Sequence, residues 1–182
     1  MPEDGAPNAW FGLTVAARAN RVAAGAYHMT QPSGPEAGAA SVFERTPRGW
    51  REHPLAPRGT PARQHHFGRA VALHENRVFV GAEEDDNANG TNAGGVLALR
   101  LDRSDTAPAL LIPSDGAPRS YLGFALATTD EYLAASEDAE VRLFPLHGTA
   151  GATGQRLSTL LGASLPSGVL ALAGSAQRLV VA

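Results

Sequence analysis

Cysteine is absent from all 182 residues, and so is lysine; each of the 15 basic side chains is an arginine. The first absence removes disulfide frameworks, thiolate metal sites and a cysteine nucleophile, and leaves the redox compartment open. The second reads as genome composition, because the arginines are scattered singly at strand ends. Aromatic residues are scarce at 6%, against 20 glycines, so a core has to be built from small and β-branched side chains. No apolar run approaches the ~18–20 residues of a membrane helix. A formal charge of −3 supplies no basic footprint for nucleic acid or an anionic membrane. The opening MPEDGAPNAW has neither the basic start nor the apolar stretch of a secretory signal.

What the chain does have is repetition, which is the first thing to seek because it decides the architecture. Phe67–Ala82 reads FGRAVALHENRVFVGA, an apolar run, a polar turn and a second apolar run closing on Gly-Ala. The phrase occurs earlier as FGLTVAARANRVAAGA (Phe11–Ala26) and returns as LGFALATTDEYLAASE (Leu122–Glu137) and SGVLALAGSAQRLVVA (Ser167–Ala182). Its glycines, Gly12, Gly68, Gly123 and Gly168, are 56, 55 and 45 residues apart. The short third interval is a loop deletion: a long loop follows Gly25 and Gly81, whereas the third copy turns tightly at Glu137-Asp138.

Each unit supplies four short runs bounded by Gly, Pro, Asn and Asp, the pattern of strands. In the first unit they are Phe11–Ala17, Arg21–Ala26, Ala39–Arg45 and Trp50–Leu55. In the second they are Phe67–Leu73, Arg77–Ala82, Gly95–Leu101 and Ala109–Pro113. In the third they are Leu122–Ala127, Glu131–Ala135, Glu140–Leu146 and Arg156–Leu161, and the fourth unit holds two runs. Alanine-rich pieces such as Thr14–Ala24 favour helix by propensity, but the turns every ~8–12 residues outweigh it. The expectation is an all-β partial β-propeller of four-stranded antiparallel blades, about three and a half of them. The units span about residues 4–58, 59–114, 115–163 and an incomplete 164–182. Small residues then suit innermost strands crowding the axis, with Trp10, Phe11, Phe67 and Tyr121 expected to wedge between blades.

The phrase FG-x-x-V-A…R-V-x-V-G-A, with a following strand and the Trp-led Gly49-Trp50, resembles the FG-GAP repeat of integrin α-chains and many bacterial surface or secreted proteins. Asp4-Gly5-Ala6-Pro7 and Asp115-Gly116-Ala117-Pro118 match the lead-in of the bacterial version. The third copy departs from the pattern, with Leu122 for Phe and Ser136-Glu137 for Gly-Ala, and the fourth carries one extra residue. The resemblance implies a propeller usually of seven blades, hence further blades in cis or a second copy in trans, at the cell surface or outside the cell.

Candidate chemistry concentrates in loops. From Asp85 the chain reads D-x-N-x-N-G, the first half of a calcium loop, with Asp85, Asn87 and Asn89 as oxygen ligands. Ala93 and Val96 then stand where such a loop closes, and the first-hairpin turns in which integrin-like propellers carry calcium lack the motif. The bland alternative is a solvated acidic turn. Asn89-Gly90-Thr91 is also an N-glycosylation acceptor sequence. Adjacent His65 and His66 point to opposite faces of a strand and make no metal pair. Ser175 lacks the second glycine of a nucleophile elbow, and the glycines at 148, 151 and 154 precede no Lys-bearing helix.

In a four-stranded blade the second-to-third-strand loops and the blade connectors emerge at one end. Tyr27–Glu36, Glu83–Ala93 and Arg58–His66 are therefore expected to cluster, with His28, Glu36, Arg63, His65, His66, Glu83, Glu84 and Asp86 as a binding face. The function expected is non-catalytic binding or scaffolding of a protein or glycan, requiring no cofactor and assisted at most by calcium. The alternatives are part of a propeller enzyme, a hydrolase or lyase whose residues lie in other blades, and a purely structural array.

Overall fold

The computed structural model describes residues 9–31, 34–55, 66–102, 108–147, 154–165 and 171–182. It is all-β: three four-stranded antiparallel sheets in simple sequential order, followed by a hairpin. The first sheet comprises β1 (Val15–Arg18), β2 (Arg21–Ala26), β3 (Ala39–Thr46) and β4 (Gly49–Leu55). The second holds β5 (Phe67–His74), β6 (Arg77–Ala82), β7 (Gly95–Arg100) and β8 (Ala109–Leu111). The third holds β9 (Leu126–Thr128), β10 (Tyr132–Glu137), β11 (Glu140–Pro145) and β12 (Gln155–Arg156), followed by the one-turn helix α1 (Leu157–Leu161). The hairpin is β13 (Leu172–Ser175) and β14 (Arg178–Val181). The first strands of successive sheets lie beside one another, which makes the array a partial β-propeller.

The sheets are held face to face by apolar layers. Val71, Leu73, Val78 and Val80 of the second sheet close on Ala23, Ala40 and Val42 of the first. Leu122, Leu126, Leu133 and Phe144 of the third unit close on Ala70, Ala72, Phe79 and Val96 of the second. The hairpin places Leu172, Leu179 and Val181 on Ala134, Val141 and Leu143. Alternating residues of each strand thus face opposite neighbours, as the period-two pattern requires.

The Phe-Gly phrase is a joint between sheets. Phe67 N–H donates to the Ala37 carbonyl and Leu122 N–H to that of Ala93, so each copy latches onto the preceding unit. Phe67 and Leu122 are 2% and 0% exposed there. A β-carbon on Gly25 would stand 2.0 Å from the Gly68 carbonyl oxygen, and one on Gly81 2.0 Å from that of Gly123. The Gly-Ala ending of one copy and the Phe-Gly opening of the next are therefore two halves of one contact. Ser136 replaces that glycine in the third copy, and its hydroxyl is turned back to accept the Ala125 N–H.

Several expectations need correction. Trp10 and Phe11 do not wedge: they are 53% and 41% exposed, and the strand begins only at Val15. No described sheet precedes them to supply the latch that straightens Phe67. Leu122, rather than Tyr121, fills the equivalent place in the third unit, and the regular strand starts at Leu126. Arg156–Leu161 is mostly helix: the Glu140 carboxylate accepts both the Ser158 N–H and its hydroxyl, and Gly162 stops the turn at φ 64°. The lead-in Asp4–Pro7 and the start of the fourth copy, where its extra residue falls, lie outside the described residues.

Candidate functional site

The loops following β2 and β6 meet at one end of the first two sheets. His28 and Glu36 come from the first loop, Glu83 and Glu84 from the second, and His66 immediately precedes β5. His28 Nδ1 and Glu36 Oε1 are 3.1 Å apart, as are His66 Nδ1 and Glu83 Oε1, and Glu84 stands 3.7 Å from the same imidazole nitrogen. The two imidazoles are 5.3 Å apart by ring centroids. Tyr27 meets His66 edge-on, and the exposed indole of Trp10 lies over His28 at 4.8 Å and against Tyr27 at 5.8 Å.

Arg69 ties this cluster to three sheets. Its Nε is 3.3 Å from Glu83 Oε1, and its guanidinium carbon lies 5.2 Å from the Tyr27 ring centroid and 3.8 Å from that of Phe124. Such cation–π contacts strengthen as water is excluded. Glu83 Oε1 is approached by both a cation and an imidazole, whereas its buried Oε2 has no hydrogen-bond partner among the described residues. Chemically, the end presents an open aromatic surface beside carboxylates and imidazoles, a combination suited to holding a polar ligand with an apolar face. Among the described residues no group of three His, Asp or Glu is placed to hold a metal.

The hydrogen bond to Glu83 raises the His66 pKa above its ordinary value; partial burial opposes this, and the charges of Glu84, Glu83 and Glu36 add to it. A raised folded-state value contributes stability that is complete below the unfolded-state pKa and fades as pH climbs through the folded one. The melting temperature of the native chain is therefore expected to exceed that of His66→Gln by more at pH 6 than at pH 8. Differential scanning fluorimetry across that range tests it, and a constant gap would refute it. His74, held low chiefly by burial and then by Arg18, acts in the opposite sense as pH falls. Pairing each variant with the native chain at every pH cancels its contribution.

In the calcium-like loop, side chains of the motif also brace the turn. Asn87 Nδ2 donates to the Gly94 carbonyl at 2.8 Å, and its side-chain oxygen accepts the Asn89 N–H at 2.9 Å. Asn89 Nδ2 reaches across to the Pro113 carbonyl at 2.8 Å, and Asp86 accepts the Asn92 N–H at 2.8 Å. These are turn-forming bonds of the kind Asn and Asp make with backbone. A β-carbon on Gly95 would lie 3.8 Å from Asp85 Oδ2, which places that carboxylate at the start of β7.

Of the expected face, His28, Glu36, His66, Glu83 and Glu84 come together, and Asp86 instead braces its own loop. Arg63 and His65 lie outside the described residues. Sequence reasoning missed Trp10 in this role, together with Tyr27, Arg69 and Phe124. One signal was available for Arg69: the position after the phrase glycine is Leu13, Arg69 and Phe124 in successive copies, so a charge replaces an apolar residue.

Sequential four-stranded sheets joined by glycine contacts define a repeat protein of propeller class. More particularly, its first two units are FG-GAP repeats: the FG-GAP repeat model matches residues 1–43 and 61–97. No curated protein matches the sequence. Among solved structures, the chain is similar to PorZ, an essential bacterial surface component of the type-IX secretion system of Porphyromonas gingivalis. The TM-score is 0.50 at 12% identity, covering 94% of this chain and 18% of PorZ. It is also similar to apo AztD from Citrobacter koseri, with a TM-score of 0.47 at 13% identity over 92% of this chain and 41% of AztD. The chain thus spans less than half the length of either.

Proposed function

We propose that the chain is a non-catalytic binding module that holds a glycan at the loop-bearing end of its first two blades. The exposed Trp10 indole, seated on Tyr27 and His28 beside Glu36 and Glu84, carries this reading. An indole offers a large apolar face at small conformational cost, and the neighbouring carboxylates and imidazoles supply the hydrogen bonds that fix a sugar's hydroxyls. Such a module belongs at the cell surface or outside the cell, a setting with which the surface role of PorZ is in keeping. Further blades in cis, or a second copy, complete the ring around it.

Probing a glycan array with the labelled chain is expected to show binding that Trp10→Ala reduces at least about tenfold, the loss of one well-covered aromatic contact. Trp10→Phe should keep most of it, and neither change should lower the melting temperature. Binding of proteins but no glycans would move the reading to a protein ligand, and an unaffected Trp10→Ala would place the site elsewhere. Calcium assistance is assigned to the Asp85 loop, in the weak ~10⁻⁴–10⁻³ M class. Calcium should then raise the melting temperature of the native chain and not that of Asp85→Ala; superimposable curves with and without calcium end that part of the proposal.

A further inference from the structure

The joint between the second and third blades is fastened differently at its two ends. At the loop-bearing end it is the Phe-Gly contact, with the Leu122 N–H on the Ala93 carbonyl and Gly81 against Gly123. At the turn-bearing end two side chains reach across to backbone. Arg77 donates to the Leu146 carbonyl, and Thr128 Oγ1 donates to the Leu73 carbonyl at 3.1 Å. Next to both bonds is His74, which follows Leu73 and pairs with Arg77 across the turn.

His74 shares the strand face of Ala70 and Ala72, which close on Leu122, Leu126 and Leu133 of the third unit. An imidazole therefore ends an otherwise apolar layer. It is 2% exposed, and its Nδ1 is buried without a hydrogen-bond partner among the described residues. His147, which follows β11, meets it edge-on at 6.0 Å between ring centroids. The charged groups acting on it are Arg18 at the end of β1, Glu75 in its own turn, Arg77 at the start of β6 and His147 from the third unit. From the β9–β10 turn, Asp130 and Glu131 present backbone carbonyls. The first accepts from His147 Nε2 at 2.9 Å, the second from the Leu146 N–H at 2.8 Å. Two guanidinium groups thus act on His74 against one carboxylate.

A neutral imidazole fits this place and an imidazolium does not. Both ring nitrogens of the charged form are donors. Nδ1 has no acceptor here, so a proton would add an unmet N–H to an uncompensated buried charge. Burial first, and then Arg18, hold the His74 pKa below its ordinary value. Stability from such a group is complete above the unfolded-state pKa, about 6.5 for a free imidazole. It is lost as pH falls below that towards the folded-state value. The loss falls on the joint, because moving β9 and the segment after β11 outward is what gives Nδ1 access to water.

We propose that His74 is a proton-operated switch in the blade joint: when it is charged, the turn-bearing ends of the second and third blades part, with the Phe-Gly contact as the hinge. The strands stay paired, since the ladders and the hinge are backbone contacts that hold no titrating group. This joint is interior to the array and lies at the end opposite the Trp10 site, so it stands apart from the glycan reading.

The absence of cysteine permits clean site-directed labelling. The full chain carrying Asn76→Cys and Glu131→Cys, exposed positions in the first-hairpin turns of the two blades, receives a nitroxide at each site. Double electron–electron resonance is recorded from about pH 7.5 down to about pH 4.5, a range that spans the ordinary imidazole titration. Far-ultraviolet circular dichroism follows the strands at each step. The label separation is expected to lengthen as pH falls while the strand signal holds. His74→Phe, an uncharged ring of similar size, should keep the short separation throughout. Arg18→Glu, at an exposed site, gives the imidazolium a partner and should move the lengthening to lower pH; it keeps the test decisive if His74→Phe fails to fold. A separation that stays constant in the native background overturns the proposal. So does one that lengthens equally in His74→Phe, that keeps its midpoint in Arg18→Glu, or that changes only together with loss of the strand signal.

Discussion

Gly81→Ala is expected to cost about 3 kcal/mol or more, because the added methyl has backbone, not a movable side chain, in its path. Its β-carbon would lie 2.0 Å from the Gly123 carbonyl oxygen, 3.0 Å from the carbonyl carbon and 3.3 Å from Cα. The only relief is to push the second and third sheets apart, which would open the apolar layer of Phe79, Leu122 and Leu126 between them. For a chain of this size the loss corresponds to a fall of roughly 6–12 °C in melting temperature. Gly68→Ala should be at least as severe, since it combines a contact of 2.1 Å to the Ala39 carbonyl oxygen with φ of +93°. Gly49→Ala is the control: φ is +116°, but nothing lies within 4 Å, so only local strain of about 1–3 kcal/mol applies. If Gly81→Ala melts with the native chain, the glycines are not the joint described above.

Removal of Arg142 is expected to be of similar magnitude for a different reason. This guanidinium is 1% exposed on β11, bound through Nε and a terminal nitrogen to Glu137. Its other terminal nitrogen donates to Asp115 at 2.7 Å and to the Gly154 carbonyl at 3.2 Å. Asp115 in turn accepts from Arg156 at 3.2 Å and has its pKa held low, first of all by the Arg142 hydrogen bond. Arg142→Ala strands the buried Glu137 carboxylate and should cost about 3–5 kcal/mol. Apolar replacement of both partners, Arg142→Met with Glu137→Leu, should recover most of that, since a buried pair is worth little beyond an apolar pair of equal volume. Chemical denaturation of the three chains decides the matter, and a double variant as unstable as Arg142→Ala would mean that the arginine acts through Asp115 and Gly154 instead.

The architecture was legible because it is written four times. Period-two alternation and recurrent turns are local properties, so Arg21–Ala26, Phe67–Leu73 and Arg77–Ala82 could be placed from residue types alone, the second of them running on to His74 in the structure. The failures lie where a neighbouring sheet, or one distant side chain, decides. Phe11 and Phe67 have the same local sequence context, yet among the described residues only Phe67 of the two meets a preceding Ala-Gly to latch onto. Leu157–Leu161 has the composition of a strand, but Glu140, 18 residues before Ser158, turns it into a helix.

The sequence by itself determined the repeat and the strand count of the first two blades. It also located the loops that meet at one end, because loop position in a sequential four-stranded sheet follows from topology. Only the tertiary structure decided which of those loop residues touch. It placed Arg69 between Tyr27, Glu83 and Phe124, and left Trp10 open beside His28. The physical reason is range. Strand period and turn chemistry act over a few residues, whereas the glycine contacts, the Arg69 cluster and the buried Arg142 pair residues in separate strands, many of them brought together only when the sheets stack.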